Sequence, residues 1–512
     1  MTNKYTYKSL KRANQRIRCV IIYPGTWNQQ IRCGLQSVSL HRNPRYEALS
    51  YAWGNAAKKR SILVDGRTFW VTNNLYLALQ RLRLETSSRV MWIDAICINQ
   101  ANDDEKSVQV AMMGTIFANC QKAIMWLGED PKVPDMMPLS SPPPSLRAQH
   151  AFAVCRVLGQ GKHIDQQPCF SERFSDSQLL ENWTDGLQLL LDMPWWNRIW
   201  VVQEMALSRE VEFAFASETC SYTMFQDFYH SLHKHSTQCC ALWWNKTGAG
   251  TAGSLKRKIK KIFNRLDPLV RIRRSMRKKE KISLSELRKR LWYFKATDSR
   301  DLIYGLLGMV TDWGNVTPLV PNYKLPVRTV ICEALVKSIQ QSGSLEILQG
   351  NSWSFSKNMK IWDTEGPPTW MKDLIGFKPQ APKAPLTSIF SASKVACPRV
   401  SLIDGSMLRI RSLKVDTIKN VVYPVPADDF KMRRRSAVRE SMMMLGICDW
   451  PQYPPAENMI EAQFWRAVIY DAIELNSFNR DLRRATYNDY YSVARALSNI
   501  YHKWPSVGDR DF

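Results

Sequence analysis

A strand–helix–strand unit at residues 90–128 constrains the fold of this 512-residue chain more than any other stretch. Residues 90–93 and 123–127 are short apolar runs of the type that forms buried strands. Between them, Asn102 lies three residues before Glu105, which is the spacing of a capping box at a helix start. A connection of this length predicts a parallel pair of strands with a right-handed crossover.

The same unit indicates where its helix packs and where a ligand would lie. Val108, Met112 and Ile116 recur at helical spacing, which predicts that they form the apolar face of the helix. Asp94 directly follows the first apolar run, and open parallel sheets bind ligands at the carboxyl ends of their strands. The position of Asp94 therefore favours a site there without identifying its chemistry.

Composition excludes several classes of protein. Hydrophobic residues make up 45% of the chain and aromatic residues 11%, which excludes a disordered or fibrous protein. No apolar run approaches the roughly 18 residues of a membrane span, and the N-terminus lacks the apolar core of a secretory signal. The 12 cysteines include no CxxC pair, which is typical of reduced thiols. We therefore expect a cytoplasmic location, with the nucleus as the alternative.

The net charge of +25 is concentrated in one segment. Residues 256–290 hold 16 Lys or Arg against 3 Asp or Glu, which is about half of the excess. This segment could contact phosphates on a nucleic acid or an anionic membrane, and its composition resembles that of a nuclear import signal. It shows no recognisable nucleic-acid module and no base-stacking aromatic residues, so a solvated basic helix or loop is favoured.

Hydrophobic periodicity predicts further elements on both sides of the unit. Strands are predicted at 17–23, 31–40, 46–51, 61–72 (a hairpin turning at 65–66), 210–216 and 408–422. Helices are predicted at 146–160, 177–191, 199–207, 223–238, 301–309, 327–342 and within 458–503. The small residues at 247–254 predict a linker, and residues 350–400 are poorly periodic.

Two motifs favour a structural interpretation over a ligand site. Residues 248–253 spell the dinucleotide fingerprint, but the strand before them is too short and the following segment is densely cationic, so a flexible linker is favoured. A second stretch is rich in residue types that bind zinc. Its members are His230, His233, His235, Cys239 and Cys240. Their spacing matches no common zinc module, so we expect no metal site and an exposed helix end.

The segment 195–204 is the most interesting candidate for chemistry. On a helix, Trp200 and Glu204 lie one turn apart on the same face, and Arg198 lies in the first turn. A carboxylate beside an aromatic ring and near a cation suits general acid–base catalysis or stabilisation of a cation. Spacing alone favours the alternative, in which the tryptophans are core residues and Arg198 pairs with a carboxylate elsewhere.

Four motifs in this order resemble the fungal heterokaryon incompatibility (HET) domain. They are segment 46–54 with Tyr46, Ser50, Tyr51, Trp53 and Gly54; segment 92–109 with Trp92, Asp94, Cys97, Asn99, Gln100 and Glu105; segment 123–128; and segment 198–204 with Arg198, Trp200, Gln203 and Glu204. Weaker similar pieces follow at 296–308, 321–323 and 464–466.

The resemblance implies a role in fungal non-self recognition, in which a HET domain triggers programmed cell death when incompatible cells fuse. Because HET domains have been likened to the TIR fold, it also implies an α/β fold with a TIR-like or flavodoxin-like parallel sheet and flanking helices. Some TIR domains hydrolyse NAD with a glutamate, and residues 200–204 are similar to the segment that holds it. On this analogy Glu204 is the catalytic candidate, and Trp53, Asp94 and Arg198 line its pocket.

Two functions stay open at this stage. In the first, NAD is a substrate and not a bound cofactor, and the protein is a cell-death effector. In the second, the HET domain is a binding and assembly module in which Ser50, Asp94 and Glu204 hold buried hydrogen bonds. The expected partners are other incompatibility proteins or a second copy of the chain.

The resemblance also divides the chain. Residues 1–45 are expected to be strands that pack on the HET domain at 46–207. A mainly helical region with the basic segment as an insertion follows at 208–345, and a mixed α+β region at 346–512. Similar proteins usually continue past the motif at 464–466 into a Gly-rich, strand-forming tail. The C-terminal region is therefore expected to be short relative to the family.

Overall fold

A mixed sheet of nine strands is the central element of the protein in its computed structural model. Its strands are β1 (Arg16–Ile22), β2 (Arg32–Ser39), β3 (Glu47–Tyr51), β4 (Lys59–Val64), β5 (Arg67–Thr72), β6 (Arg89–Trp92), β7 (Ala123–Gly128), β8 (Val211–Phe215) and β9 (Glu218–Ser221). They lie in the order β5-β4-β2-β1-β6-β3-β7-β8-β9. The structure describes residues 4–10, 15–131, 143–163, 177–241, 250–343, 400–404, 407–410, 472–476 and 481–484.

Four neighbouring strands at the centre of the sheet, β6, β3, β7 and β8, are parallel to one another. Antiparallel pairs join β1 to β2 and β6, β4 to β5, and β8 to β9. The predicted α/β class is confirmed, with two corrections. The sheet is mixed, and β3 lies between β6 and β7, for which the sequence predicts direct pairing. The hairpin of β4 and β5 turns as predicted at Asp65 and Gly66, whose φ angles are 49° and 75°.

Helices cover the central strands, as predicted. All six residues of β7 are buried, which is the pattern of a strand with both faces covered. The helices of the described residues are α1 (Asn73–Leu82), α2 (Asp94–Cys97), α3 (Asp103–Ala111), α4 (Met113–Asn119), α5 (Leu146–Leu158), α6 (Ser177–Asp192), α7 (Trp200–Leu207), α8 (Tyr222–Thr237), α9 (Gly250–Arg277), α10 (Leu284–Arg290), α11 (Asp301–Leu307) and α12 (Val327–Ser342).

The amino edge of the parallel strands carries paired charges. Arg89 at the start of β6 forms an ion pair with Glu47 at the start of β3. Lys122, just before β7, contacts the carboxylate of Glu212 in β8 at 3.1 Å. Because parallel strands share their direction, this edge lies opposite the carboxyl edge that holds the predicted site residues.

The connection between β6 and β7 differs from the prediction. It contains the short helix α2 and then two longer helices, α3 and α4, that break at Met112. The predicted apolar face is wrong at Val108, which is exposed, whereas Gln109 and Met113 are buried. Gln109 donates from its side chain to the Arg16 carbonyl at 2.9 Å. This bond to the start of β1 turns Gln109 toward the sheet and Val108 toward solvent.

Glu105 joins helix α3 to the sheet. The Asn102 side chain accepts from the Glu105 N–H at 3.0 Å, as a capping box requires. The Glu105 carboxylate does not complete the box. It accepts from the Asn99 N–H at 2.8 Å and forms an ion pair with Arg18 at 2.5 Å. The Glu105 and Arg18 side chains are only 12% and 4% exposed, so this is a buried ion pair.

The basic segment is packed rather than only solvated. Helix α9 begins at Gly250, so the predicted linker at 247–254 is wrong from that residue onward. The buried apolar residues of α9 are Leu255, Ile259, Ile262, Leu266, Leu269, Val270 and Ile272. Arg273 is buried beside them and donates to the Ser208 carbonyl, just after α7, at 2.8 Å. Burial lowers the pKa of Arg273 to about 10. Part of the positive charge of α9 therefore stabilises α7 by hydrogen bonding to a carbonyl group at its end.

Helices α11 and α12 confirm the helices predicted at 301–309 and 327–342. Strands β10 (Val400–Ile403) and β11 (Met407–Ile410) form a separate pair, which covers the start of the predicted strands at 408–422. No helix in the described part of the chain is both long and apolar enough to cross a membrane.

A second unit comprises residues 379–399 and 410–512. Within it, β12 (Ala472–Asn476) and β13 (Asp481–Arg484) form an antiparallel pair. The helices predicted within 458–503 are wrong for these two stretches. The rest of that prediction, and the poorly periodic region up to residue 399, lie outside the described residues. The predicted domain boundaries stay predictions.

Replacing Glu105 with alanine is expected to destabilise the protein by about 3–5 kcal/mol, because it leaves the buried Arg18 charge without its partner. Lys324→Ala is the matched control. It removes an ion pair with Asp104 in which the two side chains are 60% and 52% exposed, so it should cost about 1 kcal/mol or less. Urea unfolding followed by circular dichroism measures both losses. Equal losses for the two variants would contradict a structural role for the buried pair.

Candidate functional site at the carboxyl edge of the sheet

Ser50, near the end of β3, links the sheet to helix α7. Its hydroxyl donates to the carboxylate of Glu204 and accepts from the indole Nε1–H of Trp195 at 2.9 Å. Parallel pairing with β7 fixes Ser50 opposite Met125, and a 3-10 turn at Pro194–Asn197 carries Trp195. Ser50 is fully buried and Glu204 is 4% exposed. These groups form a buried chain of donors that ends on a carboxylate.

Burial is the largest influence on the Glu204 carboxyl group. It raises the pKa from the ordinary 4.5 to about 7, and the negative charge of Asp94 adds to the rise. Arg198 and the hydrogen bond from Ser50 act in the opposite direction without cancelling the effect. At neutral pH, Glu204 is therefore present in both protonation states. A carboxyl group of this kind can accept or donate a proton, as general acid–base catalysis requires.

Asp94 and Trp53 form the exposed side of the site. The Asp94 carboxylate accepts from the Trp53 Nε1–H at 2.8 Å and from the Ala95 N–H at 2.7 Å. Asp94 follows β6 and begins α2, whereas Trp53 follows β3 and is 40% exposed. Gly54 turns the chain after Trp53 with a φ of 76°. An aromatic ring with its polar atom satisfied thus stands beside a carboxylate at the surface.

Tyr51 connects these two parts of the site. Its phenol is buried, and a side-chain hydrogen bond with Asp94 is among the influences on its hydroxyl. Burial raises the pKa of Tyr51 well above its ordinary value; Asp94 and Glu204 add to the rise, and Arg198 opposes it. The charges of Asp94, Glu204 and Arg198 therefore all influence one phenol. Two of these charges, Asp94 and Arg198, also influence Glu204.

Arg198 is the cation of the site. Backbone bonds hold its segment, since the Ile199 N–H donates to the Lys295 carbonyl at 2.9 Å and the Lys295 N–H donates to the Asn197 carbonyl at 2.6 Å. Within the described ranges, the half-buried guanidinium makes no hydrogen bond or ion pair. Among the described residues, no carboxylate forms the ion pair with Arg198 that the structural alternative predicts. A half-buried guanidinium that is not engaged by the described residues is suited to bind a phosphate or carboxylate group of a ligand.

Several residues of the four motifs hold the fold and do not contact Glu204. The Tyr46 hydroxyl donates to the Ile116 carbonyl at 2.7 Å, and Trp92 packs edge-on against Phe117. Cys97 is buried, and burial raises the pKa of its thiol well above the ordinary value. This thiol is therefore unsuited to act as a nucleophile.

The loop after β6 is positioned by its own side chains. Gln100 donates to the Asp94 carbonyl at 3.1 Å. The Asn99 side chain accepts from the Ala101 N–H at 3.3 Å, and the Asn99 N–H is bound to Glu105. The structure thus places Asn99, Gln100 and Glu105 behind Asp94, where they support its position.

The other face of α7 is held by residues 301–323. The Gln203 side chain accepts from the Gly308 N–H at 3.2 Å, and a Cβ atom at Gly308 would lie 2.5 Å from Gln203. Asp301 accepts from the Tyr323 hydroxyl at 2.5 Å, and Trp200 also hydrogen-bonds Asp301. These contacts fix the helix that carries Glu204.

Trp195 and Asp301 are parts of this arrangement that the predicted site lacks. Spacing alone favours a core role for the tryptophans. This holds for Trp196, whose Nε1–H donates to the Leu190 carbonyl at 2.7 Å. Nothing in the sequence distinguishes the indole of Trp195 from that of Trp196. Asp301 lies in a piece that resembles the family weakly, and this is a signal that could have found it.

The fold and this site define an α/β domain with a hydroxyl–carboxyl–indole network at the carboxyl edge of four parallel strands. Residues 46–204 match the family described as heterokaryon incompatibility protein (HET), so this part of the chain is similar to a HET domain. The chain is also similar to heterokaryon incompatibility protein 6, OR allele, of Neurospora crassa. The two are 24% identical over 416 residues, which cover 73% of this chain and 60% of the relative. No solved structure matches the chain.

Glu204→Gln is expected to remove a pH-dependent loss of stability. The folded-state pKa of about 7 lies above the ordinary 4.5, so the folded protein binds this proton more tightly than the unfolded chain. The wild type should therefore lose stability as the pH rises through this range. The loss is at most about 3.5 kcal/mol, at roughly 1.4 kcal/mol per pKa unit. Glutamine keeps the shape of the side chain without this loss.

Urea unfolding of both proteins below and above this pH range measures the effect. Other titrating groups are common to both, so only the difference between the two free energies of unfolding is compared. The stability of the variant relative to the wild type should increase with pH. A difference that is constant with pH would show that the Glu204 carboxyl group titrates normally in the fold.

Proposed function

We propose that the protein acts in fungal heterokaryon incompatibility, where non-self recognition leads through the HET domain to programmed cell death. The HET match at residues 46–204 and the similarity to a named incompatibility protein of Neurospora crassa support this proposal. Other incompatibility proteins or further copies of the chain would be its partners. The proposed location is the cytoplasm, with the nucleus as the alternative.

We further propose that the site at the carboxyl edge hydrolyses NAD or a related nucleotide. The observation that carries this proposal is the buried Glu204 carboxyl group, which is bonded to Ser50 and has a pKa of about 7. The likeness of segment 200–204 to the glutamate segment of TIR domains supports it as a fold-level analogy. In this assignment the diphosphate of the substrate binds the Arg198 guanidinium, and one of its rings stacks on the exposed face of Trp53.

The reaction would break the bond between the ribose C1′ atom and the nicotinamide nitrogen, and the bonding electrons would leave with nicotinamide. Ionised Glu204 would stabilise the positive charge that develops on the ribose, as carboxylates do in glycoside hydrolysis. It would then take a proton from the water that adds to C1′. The products are nicotinamide, ADP-ribose and a proton. The bond from Ser50 keeps the carboxylate oriented throughout these steps.

A second function is favoured by a different observation. Glu204 is only 4% exposed, and its bond to Ser50 lies wholly inside the protein. Fully paired buried groups of this kind can serve to fix a unique fold. On this basis the alternative is a HET domain that binds and assembles without catalysis.

Contact with a nucleic acid or an anionic membrane through residues 256–290 is the weakest of the proposals. Arg273 and Arg277 donate to backbone carbonyls of Ser208 and Arg209, and Arg290 pairs with Glu286 one turn away. These three arginines are therefore already bound within the protein, which leaves fewer cations to bind the phosphate groups of a nucleic acid or membrane. Affinity through the remaining charges would fall steeply with salt.

Glu204→Gln is expected to lower the rate of NAD cleavage by about 100-fold or more, the range in which acid–base groups contribute. The full chain is incubated with NAD at concentrations that span free and self-associated protein, and released nicotinamide is measured by chromatography. Glu212→Gln is the matched control, because it makes the same chemical change at the opposite edge of the sheet. Wild-type protein without turnover at any concentration, or an equally active Glu204→Gln variant, would overturn the catalytic proposal.

Expression of the wild type and of Glu204→Gln in a filamentous fungus separates the two functions. If catalysis carries the activity, the wild type should reduce viability and the folded variant should not. If assembly carries it, both should reduce viability to the same extent while NAD is unchanged. Equal viability of both strains and of an empty control would contradict the role in cell death itself.

A further inference from the structure

Four potential metal ligands converge where helix α8 ends. His235 and Cys239 lie one helical turn apart, Cys240 follows, and His163 comes from the segment after α5. The ligand atoms of all four lie within 4.8 Å of one another. His235 Nδ1 is 3.0 Å from Cys239 Sγ and 3.7 Å from Cys240 Sγ. Cys240 Sγ lies 3.5 Å from His163 Nδ1 and 3.9 Å from Cys239 Sγ.

These separations are close to those of a tetrahedral zinc site. Zinc binds thiolate sulfur at about 2.3 Å and imidazole nitrogen at about 2.0–2.1 Å, so ligand atoms at the corners of a tetrahedron are about 3.3–3.8 Å apart. The four separations given above, from 3.0 to 3.9 Å, bracket this range, and the remaining pairs of ligand atoms lie within 4.8 Å. Small side-chain movements would therefore bring all four atoms to one ion. Two thiolates and two imidazoles are a set that zinc uses in structural sites.

The orientation of the His235 ring is also that of a metal ligand. Its Nε2 atom lies 3.1 Å from the Gly161 carbonyl, which accepts a hydrogen bond if Nε2 carries the proton. That tautomer leaves a lone pair on Nδ1, the atom that faces the two cysteines. Metal-binding histidines commonly donate from their second nitrogen to a carbonyl in this way. Gly161 has a φ of 76°, a conformation that favours glycine.

The backbone at the end of α8 places both cysteines toward His235. The helix ends at Thr237, and Gln238 departs from helical geometry with φ −121° and ψ −101°. The Cys240 N–H then donates to the His235 carbonyl at 2.9 Å, which turns the chain back. His235 and Cys240 are buried, while His163 and Cys239 are exposed, so an ion could enter from solvent.

We propose that His163, His235, Cys239 and Cys240 bind one zinc ion. Four protein ligands leave no open position, so the site is structural and joins the end of α8 to the segment after α5. The proposal revises the expectation of no metal and changes the residues involved, since His230 and His233 are not among the ligands. His163 is 77 residues from Cys240 in sequence, which is why local spacing gives no zinc motif. The site is separate from Glu204 and does not depend on the proposed function.

Metal content of the purified full chain tests the proposal. The protein is prepared in a reducing buffer with zinc and without chelator, desalted, and measured by elemental mass spectrometry. The wild type should hold one zinc per chain. His163→Ala and Cys239→Ser change exposed residues, so both variants should fold and should bind zinc more than about 100-fold more weakly, beyond the loss from a mere supporting contact. His230→Asn changes an exposed histidine of the same helix and should keep full zinc content.

Cobalt(II) gives an independent readout of the ligands. A tetrahedral cobalt site with two thiolates absorbs in the visible region, and this absorption should appear for the wild type and for His230→Asn but not for Cys239→Ser. Zinc should displace the cobalt, and a chelator should lower the melting temperature of the wild type but not that of His163→Ala. Wild-type protein without bound zinc would overturn the proposal and leave a hydrogen-bonded thiol–imidazole cluster. Zinc retained equally by Cys239→Ser would overturn it as well.

Discussion

The hydrogen bond between Ser50 and Glu204 is the interaction on which the arrangement of this domain depends. Every residue of α7 from Trp200 to Ala206 is buried, so the helix can lie only inside the protein and takes Glu204 with it. A buried carboxyl group is costly without a partner. Ser50 supplies that partner from β3, one of the four parallel strands, and Trp195 in turn donates to the Ser50 hydroxyl. The hydrogen bond between Ser50 and Glu204 therefore fixes both the position of α7 and the environment of the Glu204 carboxyl group.

The site is completed by parts of the chain beyond the HET match. Arg273 in α9 donates to the carbonyl of Met205 as well as to that of Ser208, and the Gly308 backbone binds Gln203. A segment that ended at Glu204 would lack these contacts on α7. This explains why a family match of 159 residues lies in a larger packed unit that extends through α12. The basic character of α9 is compatible with this role, because arginine can reach several carbonyls from one buried position.

The sequence predicts the strands and helices of the HET region well, because short apolar runs and capping signals are local features. It also indicates the carboxyl edge as the place of the site, since Ser50 and Asp94 each follow or end a strand. It could not show that Ser50 bonds Glu204, which lies 154 residues away, or that Trp195 and not Trp196 completes the network. Such pairings depend on which strand lies between which others, and β3 between β6 and β7 was not predicted. The proximity of His163 to Cys240 is not predicted from the sequence either, because the two residues are 77 positions apart.

Burial holds the pKa of the Glu204 carboxyl group at about 7, so that the group lies between its two protonation states at neutral pH. Infrared difference spectroscopy of the wild type against Glu204→Gln, recorded over a pH titration, isolates the carbonyl band of this one protonated carboxyl group. We predict a midpoint of about 7 for the wild type. We expect a higher midpoint in Ser50→Ala, because the hydrogen bond from Ser50 lowers the pKa of Glu204. A midpoint near the ordinary value of 4.5, unaffected by Ser50→Ala, would contradict both predictions.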